Sequence, residues 1–175
     1  MFENLPSTSL ERFRDAFLFA EEAHTGQLDK GGEPKICHVV RVGSSLLPDI
    51  EAAVVGLLHD IVEDTPASLH ELIHRLDLTP AQANAIALVT RKEGESYADY
   101  IHSIATAATP GAQIARLVKL ADLRDNLNPR RQAQAEGRAG ADVMVPKRLA
   151  YLAAVDVLCA GLGSEGNPPL HPFRG

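Results

Sequence analysis

The run "IEAAVVGLLHDIVED", residues 50–64, constrains this chain more than any other stretch. At about 100° per residue, Val54, Leu57, Leu58, Ile61 and Val62 cover one broad side of a helix, and Ala52, Gly56, His59, Asp60, Glu63 and Asp64 share the other. A helix that is apolar nearly all round belongs in an interior. This one, read from about Asp49 to Asp64, is predicted to run through the middle of the domain. Its second side then carries small residues below and acids with a histidine above, the profile of a cavity wall. An ionised carboxylate taken out of water costs several kcal/mol unless it is paired or bound to a metal. A cation is the simplest resolution.

The rest of the chain supplies the surround, again as helices. Leu10, Phe13, Phe17, Ala20 and His24 recur at helical spacing after the cap candidates Ser7 to Ser9, and Gly26 follows as a stop. Pro34 opens a second helix, which carries Ile36, His38, Val39, Val40 and Val42 to about Leu47. Capping boxes at Ser68 with Glu71 and at Thr79 with Gln82 start two short helices. Ser96 with Asp99 starts another, through Tyr97, Tyr100, Ile101 and Ile104, and Pro110 with Gly111 precedes Ile114, Leu117, Val118 and Ala121. Residues 128–140 lack periodicity and are expected to form a mobile loop. Its Arg130, Arg131 and Arg138 suit either a lid over phosphates or a solvated linker. Val145, Leu149, Leu152, Val155 and Leu158 mark a last helix. With no alternating strand pattern and no repeat, the expected class is all-α. One domain is expected over 1–162, followed by a disordered tail over 163–175.

Composition narrows the functions open to such a domain. A net charge of −6 and a pI near 5.6 give no basic footprint for nucleic acid, although a local metal and a few lysines could still attract a small anion. Cys37 and Cys159 alone make no disulfide framework and suit a reducing compartment. Neither a signal-like start nor a long apolar run points to a membrane, so the expectation is a cytoplasmic protein.

His38, His59, Asp60 and Asp122 are separated by 20, 0 and 61 intervening residues, so a shared site requires three helices to converge. The pattern resembles the HD phosphohydrolase superfamily. Within it, "AHTGQLDKGGEPKICH", "LLHDIVEDT" and "VKLADLRDN" resemble, in order and spacing, three blocks of the RelA/SpoT-type alarmone hydrolases, over about residues 17–128. The short chain is similar to the small stand-alone members of that group. The resemblance implies a compact multi-helix HD-domain bundle with a metal site between helices, and His38, His59, Asp60 and Asp122 as ligands of Mn²⁺. Glu63 and Asp64 match the pair that positions or deprotonates the attacking water, one helical turn beyond His59 and Asp60. Asn126 matches a substrate-contacting asparagine. Lys30, and Lys119 on the Asp122 helix face, are the candidates for phosphate charge, with an ordinary surface lysine as the alternative for each. The implied reaction hydrolyses the 3′-pyrophosphate of a guanosine or adenosine alarmone, ppGpp or pppGpp giving GDP or GTP and pyrophosphate. The alternatives are a phosphohydrolase for another nucleotide and a non-catalytic nucleotide-binding module.

Two departures from the resembled blocks stand out. Asp29 replaces the arginine of an Arg-Lys pair beside the expected base pocket, and either accepts from a guanine edge or points into water. Lys35 and Val39 replace the tyrosine and proline that flank the block's histidine. His24 reads as a packing or supporting histidine rather than a ligand, and Cys37 as core. "HELIH", residues 70–74, matches the zinc-protease pattern His-Glu-x-x-His. Its Leu69, Leu72, Ile73 and Leu76 form the buried stripe, which leaves both histidines on the flank, and Glu71 is already explained by the capping box, so it reads as a chance match.

Overall fold

The computed structural model describes residues 8–163 of the 175-residue chain. They form ten helices: α1 (Ser9–Ala23), α2 (Lys35–Ser45), α3 (Ile50–Leu58), α4 (Ile61–Asp64), α5 (Leu69–Leu76), α6 (Pro80–Val89), α7 (Tyr97–Thr106), α8 (Ala112–Asn126), α9 (Pro129–Ala139) and α10 (Ala141–Gly163). Among the described residues there is no strand, only an isolated bridge between Leu28 and Pro34. The all-α class is the one observed. Of the expected tail over 163–175, only Gly163 is described, closing α10; the rest lies outside the described residues.

Local chemistry sets most helix starts. Thr8 accepts from the Glu11 amide while Glu11 reaches back to Thr8, and Thr79 does the same with Gln82. Ser68 caps α5 through the Glu71 amide. Pro34 serves as the N-cap of α2 rather than its first residue. Burial follows the apolar pattern: every residue of α3 from Ala52 to Leu58 is buried, with α1, α2, α6 and α8 packed around it. Glu51, at the mouth of this helix, lies away from the acids at its far end. It pairs with Arg12 at 2.5 Å and accepts from Thr79 at 3.2 Å, and Arg12 also donates to the fully buried Gln82 at 2.6 Å, tying α1, α3 and α6 together.

The contact of α2 with α3 positions the site. A Cβ on Gly56 would lie 2.9 Å from the Cα of Gly43 and from a methyl of Leu46, so the two backbones touch where both side chains are absent. That close approach sets His38 of α2 beside His59 at the end of α3.

Two expectations need correction, and the last helix, present as expected, adds an observation of its own. The helix read from Asp49 to Asp64 breaks at His59 and Asp60 into α3 and α4. The His59 imidazole donates from Nδ1 to the Gly56 carbonyl at 2.8 Å and so competes for an acceptor of the helical ladder. Residues 128–140 are not a loop. Asn128 caps α9 through the amides of Arg130 and Arg131, Pro129 takes the first position, and Ala, Gln, Arg and Glu favour the helix that follows. Finally, α10 buries Met144, Ala154, Val155, Leu158 and Leu162, while Val145, Leu149 and Leu152 stay 37%, 61% and 46% exposed. With apolar residues on several faces, hydrophobicity alone does not choose the inward one.

Candidate metal centre and cleft

His38, His59 and Asp122 come from α2, the end of α3 and α8, and each offers a ligand atom within 4.8 Å of the others. All three are buried. His38 Nε2 lies 3.2 Å from Asp122 Oδ1, and His59 Nε2 lies 3.8 Å from the same oxygen. Asp60 stands beside this trio, with Oδ1 3.2 Å from His59 Nε2 and Oδ2 3.5 Å from His38 Nε2. The four residues that the family blocks single out as metal ligands are therefore brought together.

The donor set fits a divalent cation. His59 Nε2 is buried without a hydrogen-bond partner among the described residues, and its Nδ1 is engaged by Gly56, so Nε2 faces the carboxylates. His38 is arranged alike, with Nδ1 2.6 Å from Asp125 Oδ2. Two imidazole nitrogens and two carboxylates form a mixed set suited to Mn²⁺ and related ions. Burial works against charge on Asp60 and Asp122, yet His59 and Lys35 hold the Asp60 carboxyl well below its usual range, and Lys119 with His38 does the same for Asp122. The same carboxylates act on His38. Although burial disfavours its cation, hydrogen bonds to Asp122 and Asp125 outweigh that and push its pKa up to about 9.

Glu63 and Asp64 sit on α4, past the break, not one turn along a continuous helix. Asp64 pairs with Lys35 at 2.8 Å. Glu63 accepts from the Arg91 amide at 2.5 Å, and burial, with Asp60 nearby, raises its pKa. The cleft they share has a volume of about 920 Å³ and is also lined by Lys30, Lys35, Arg91, Tyr97, Lys119 and Lys147. A chain of net charge −6 thus gathers cations at one opening. Lys30 lies at the rim and donates to the Tyr151 hydroxyl at 3.0 Å. Lys119 is no surface lysine: its ammonium pairs with Asp122 at 2.8 Å and lies 5.1 Å from the Tyr100 ring centre. Asn126 also lines the cleft and donates to Asp122 Oδ1 at 2.5 Å. The buried Tyr97 hydroxyl has no hydrogen-bond partner among the described residues, and burial pushes its pKa up to about 12.

Asp29 turns into the protein at the cleft wall rather than into water. Its Oδ1 accepts from the amides of Gly31 and Glu33, and its Oδ2 pairs with Arg131 at 2.7 Å. Arg131, expected in a loop, is thereby held among acids. His24 supports the site without joining it: Nδ1 meets Gln27 at 2.8 Å, and Gln27 donates to the Asp64 carbonyl at 2.8 Å. Cys37 is half-buried. His70 and His74 are exposed, with Nε2 atoms 3.0 Å apart, and no carboxylate or third histidine joins them in a metal-binding group among the described residues.

Sequence reasoning missed the roles of Lys35, Arg41 and Asp125. Lys35 Nζ bridges Asp60 at 2.5 Å and Asp64 at 2.8 Å. The signal for the other two was present as spacing: Arg41 is i+3 from His38 and Asp125 is i+3 from Asp122, each on the face its helix turns to the site.

An all-α bundle with a His-Asp doublet and distant His and Asp residues meeting between helices is the architecture of the HD type. No protein-family model matches the chain. The bifunctional (p)ppGpp synthase/hydrolase SpoT of Escherichia coli K12 is 32% identical over 131 residues, 70% of this chain and 18% of that protein. The GTP pyrophosphokinase of Myxococcus xanthus is 30% identical over 133 residues, 70% of this chain and 17% of its own length. The chain thus spans less than a fifth of these curated relatives. A solved structure described as a metazoan ortholog of SpoT that hydrolyzes ppGpp superposes with a TM-score of 0.70 at 25% identity, covering 89% of this chain and 88% of that one. The chain is an HD-type, RelA/SpoT hydrolase-like protein.

Proposed function

We propose that the protein is a metal-dependent phosphohydrolase that removes the 3′-pyrophosphate of guanosine or adenosine alarmones. The observation that carries this reading is the meeting of His38, His59, Asp60 and Asp122 at a cation-lined cleft, with Glu63 and Asp64 beside them. Likeness to the ppGpp pyrophosphohydrolases supports the choice of substrate. The four residues would hold one Mn²⁺, which when bound supplies Lewis-acid polarisation of a phosphoryl oxygen and a lowered pKa of water.

The chain's own residues do the rest. A water oxygen attacks the phosphorus attached to the ribose 3′ oxygen; the new P–O bond forms as the bond to that oxygen breaks. Pyrophosphate leaves, and the 3′ oxygen takes a proton. Glu63, whose pKa is raised by burial and the nearby Asp60, accepts the proton of the attacking water, and Asp64 orients it. Lys30 and Lys119 offset charge developing on the phosphates, and Asn126 contacts the substrate. Asp29 is held at the cleft wall by its own turn and by Arg131, which together engage three of its acceptor positions. We place this activity in the cytoplasm, in keeping with the free thiols of Cys37 and Cys159.

The test is pyrophosphate release from ppGpp and ppApp by chelator-stripped protein, with and without added Mn²⁺. Metal-dependent pyrophosphate is expected, abolished together with Mn²⁺ binding in Asp60→Ala. Glu63→Gln should keep the metal and lose about 10²-fold in rate. Orthophosphate from other nucleotides in place of pyrophosphate would move the assignment to a different phosphohydrolase. Alarmone binding without turnover would make the protein a binding module.

A further inference from the structure

We infer that Asp125 is a positioning residue for His38: its carboxylate holds the Nδ1–H of the imidazole, so that the Nε2 lone pair is presented to the cation, and Arg41 and Arg131 hold the carboxylate in that pose. This rests on the metal-site reading above and extends it to residues that touch neither metal nor substrate.

Asp125 is hydrogen-bonded by His38 and Arg41 and paired by charge with Arg131, whose Nε makes no aligned hydrogen bond among the described residues. Asp125 Oδ2 lies 2.6 Å from His38 Nδ1. An ionised carboxylate only accepts, so the ring nitrogen facing it is the donor and a neutral ring keeps its lone pair on Nε2. That nitrogen lies 3.2 Å from Asp122 Oδ1 and 3.5 Å from Asp60 Oδ2, on the side to which His59 Nε2 also turns. The Asp125 carboxylate is gripped in turn. Arg41 donates from Nε to Oδ1 at 2.7 Å and from Nη2 to Oδ2 at 3.4 Å, and Arg131 Nε lies 3.0 Å from Oδ2. Two guanidiniums, neither able to give up its proton, keep the carboxylate an acceptor.

The arginines are themselves anchored. Arg41 pairs with Glu33 at 3.2 Å and Arg131 with Asp29 at 2.7 Å, so residues 29–33, α2, α8 and α9 meet around one carboxylate. His59 reaches the same tautomer by another route, donating to the neutral Gly56 carbonyl. A carboxylate partner raises imidazole basicity and fixes ring orientation, which a backbone carbonyl does more weakly. His38 is therefore the stronger and better-aimed nitrogen donor of the two.

The experiment is a Mn²⁺ titration of the chelator-stripped full chain, following the paramagnetic resonance signal of the free ion, with melting midpoints measured alongside. Wild type is expected to bind one Mn²⁺. Asp125→Asn, whose amide can also donate and so favour the wrong tautomer, should remain folded with a metal-free melting midpoint lowered by the loss of its arginine pairs, and should bind Mn²⁺ about 10- to 100-fold more weakly. Equal affinity in wild type and Asp125→Asn would overturn the positioning role and leave the metal site standing. Absence of binding in wild type would overturn the metal-site reading itself. Should Asp125→Asn fail to fold, the wild type decides by imidazole nitrogen NMR with diamagnetic Zn²⁺ bound: His38 ligating through Nε2 with Nδ1–H retained supports the inference, and ligation through Nδ1 overturns it.

Discussion

Lys35 stands where the resembled blocks carry a tyrosine, and its ammonium lies 2.5 Å from Asp60 and 2.8 Å from Asp64. Burial opposes that charge, but the two carboxylates raise the lysine pKa far above its ordinary value. Lys35 is thus a tethered cation beside the site proposed for a divalent one, with which it would compete for Asp60. Lys35→Met is expected to bind Mn²⁺ several-fold more tightly, measured by calorimetry, and to melt lower when metal-free, because Asp60 and Asp64 then lose their counter-ion. Asp29 gives a pH-dependent case. Burial favours its neutral form, but the Arg131 hydrogen bond and charge and the amides of Glu33 and Gly31 outweigh it and hold its pKa below 3.8. A depressed carboxyl contributes stability that is present above the unfolded value and lost as pH falls through the folded one. Asp29→Asn should cost about 1 to 3 kcal/mol at neutral pH. Denaturant titrations at stepped pH should show the gap between the two proteins closing as pH drops below 3.8.

At the scale of the element, the crossing of α2 and α3 depends on two missing side chains. A Cβ on Gly43 would lie 2.7 Å from Leu57 Cγ and 3.0 Å from the Ala53 carbonyl oxygen, and one on Gly56 would strike Gly43 itself. Gly56→Val should destabilise by about 1 to 3 kcal/mol or more. Because the crossing sets His38 against His59, Mn²⁺ affinity should fall with it; a variant that binds metal normally would detach the crossing from the site. Most helices were legible, since the caps Thr8, Ser68, Thr79 and Ser96 carry their chemistry locally. What escaped was governed by partners distant in sequence. α9 has no apolar stripe: it buries only Gln132 and Ala135 and docks through Arg131 on acids about ninety to a hundred residues earlier, among them Asp29. The break at His59 follows from one side chain reaching its own Gly56 carbonyl, which no periodicity encodes. Likewise the His-Asp doublet was visible as a motif, whereas the engagement of Lys35 with two acids depended on how α2 and α4 pack.

For the whole molecule, the metal centre joins parts of the chain that meet only once the bundle is built. His38 and Asp125 are 87 positions apart, and only His59 and Asp60 are neighbours in sequence. An unfolded chain offers no such ligand set, so a cation that binds the native form alone stabilises it by mass action, about 2.7 kcal/mol at a hundred times its Kd. Stripping Mn²⁺ with a chelator should lower the melting midpoint accordingly, with Asp60→Ala indifferent to the treatment. The docking of α8 on α2 and α3 carries this into kinetics. Contacts of large sequence separation form late on the way to the native state, since loop closure is costly before they reward it. The ligand set is then incomplete at the folding barrier, and bound metal should slow unfolding in stopped-flow experiments while leaving the refolding rate unchanged. Seen this way, the docking of α8 is a checkpoint: until Asp122 meets His38 and His59, the chain has no complete grip on the proposed ion, and capture of that ion reports that assembly is finished.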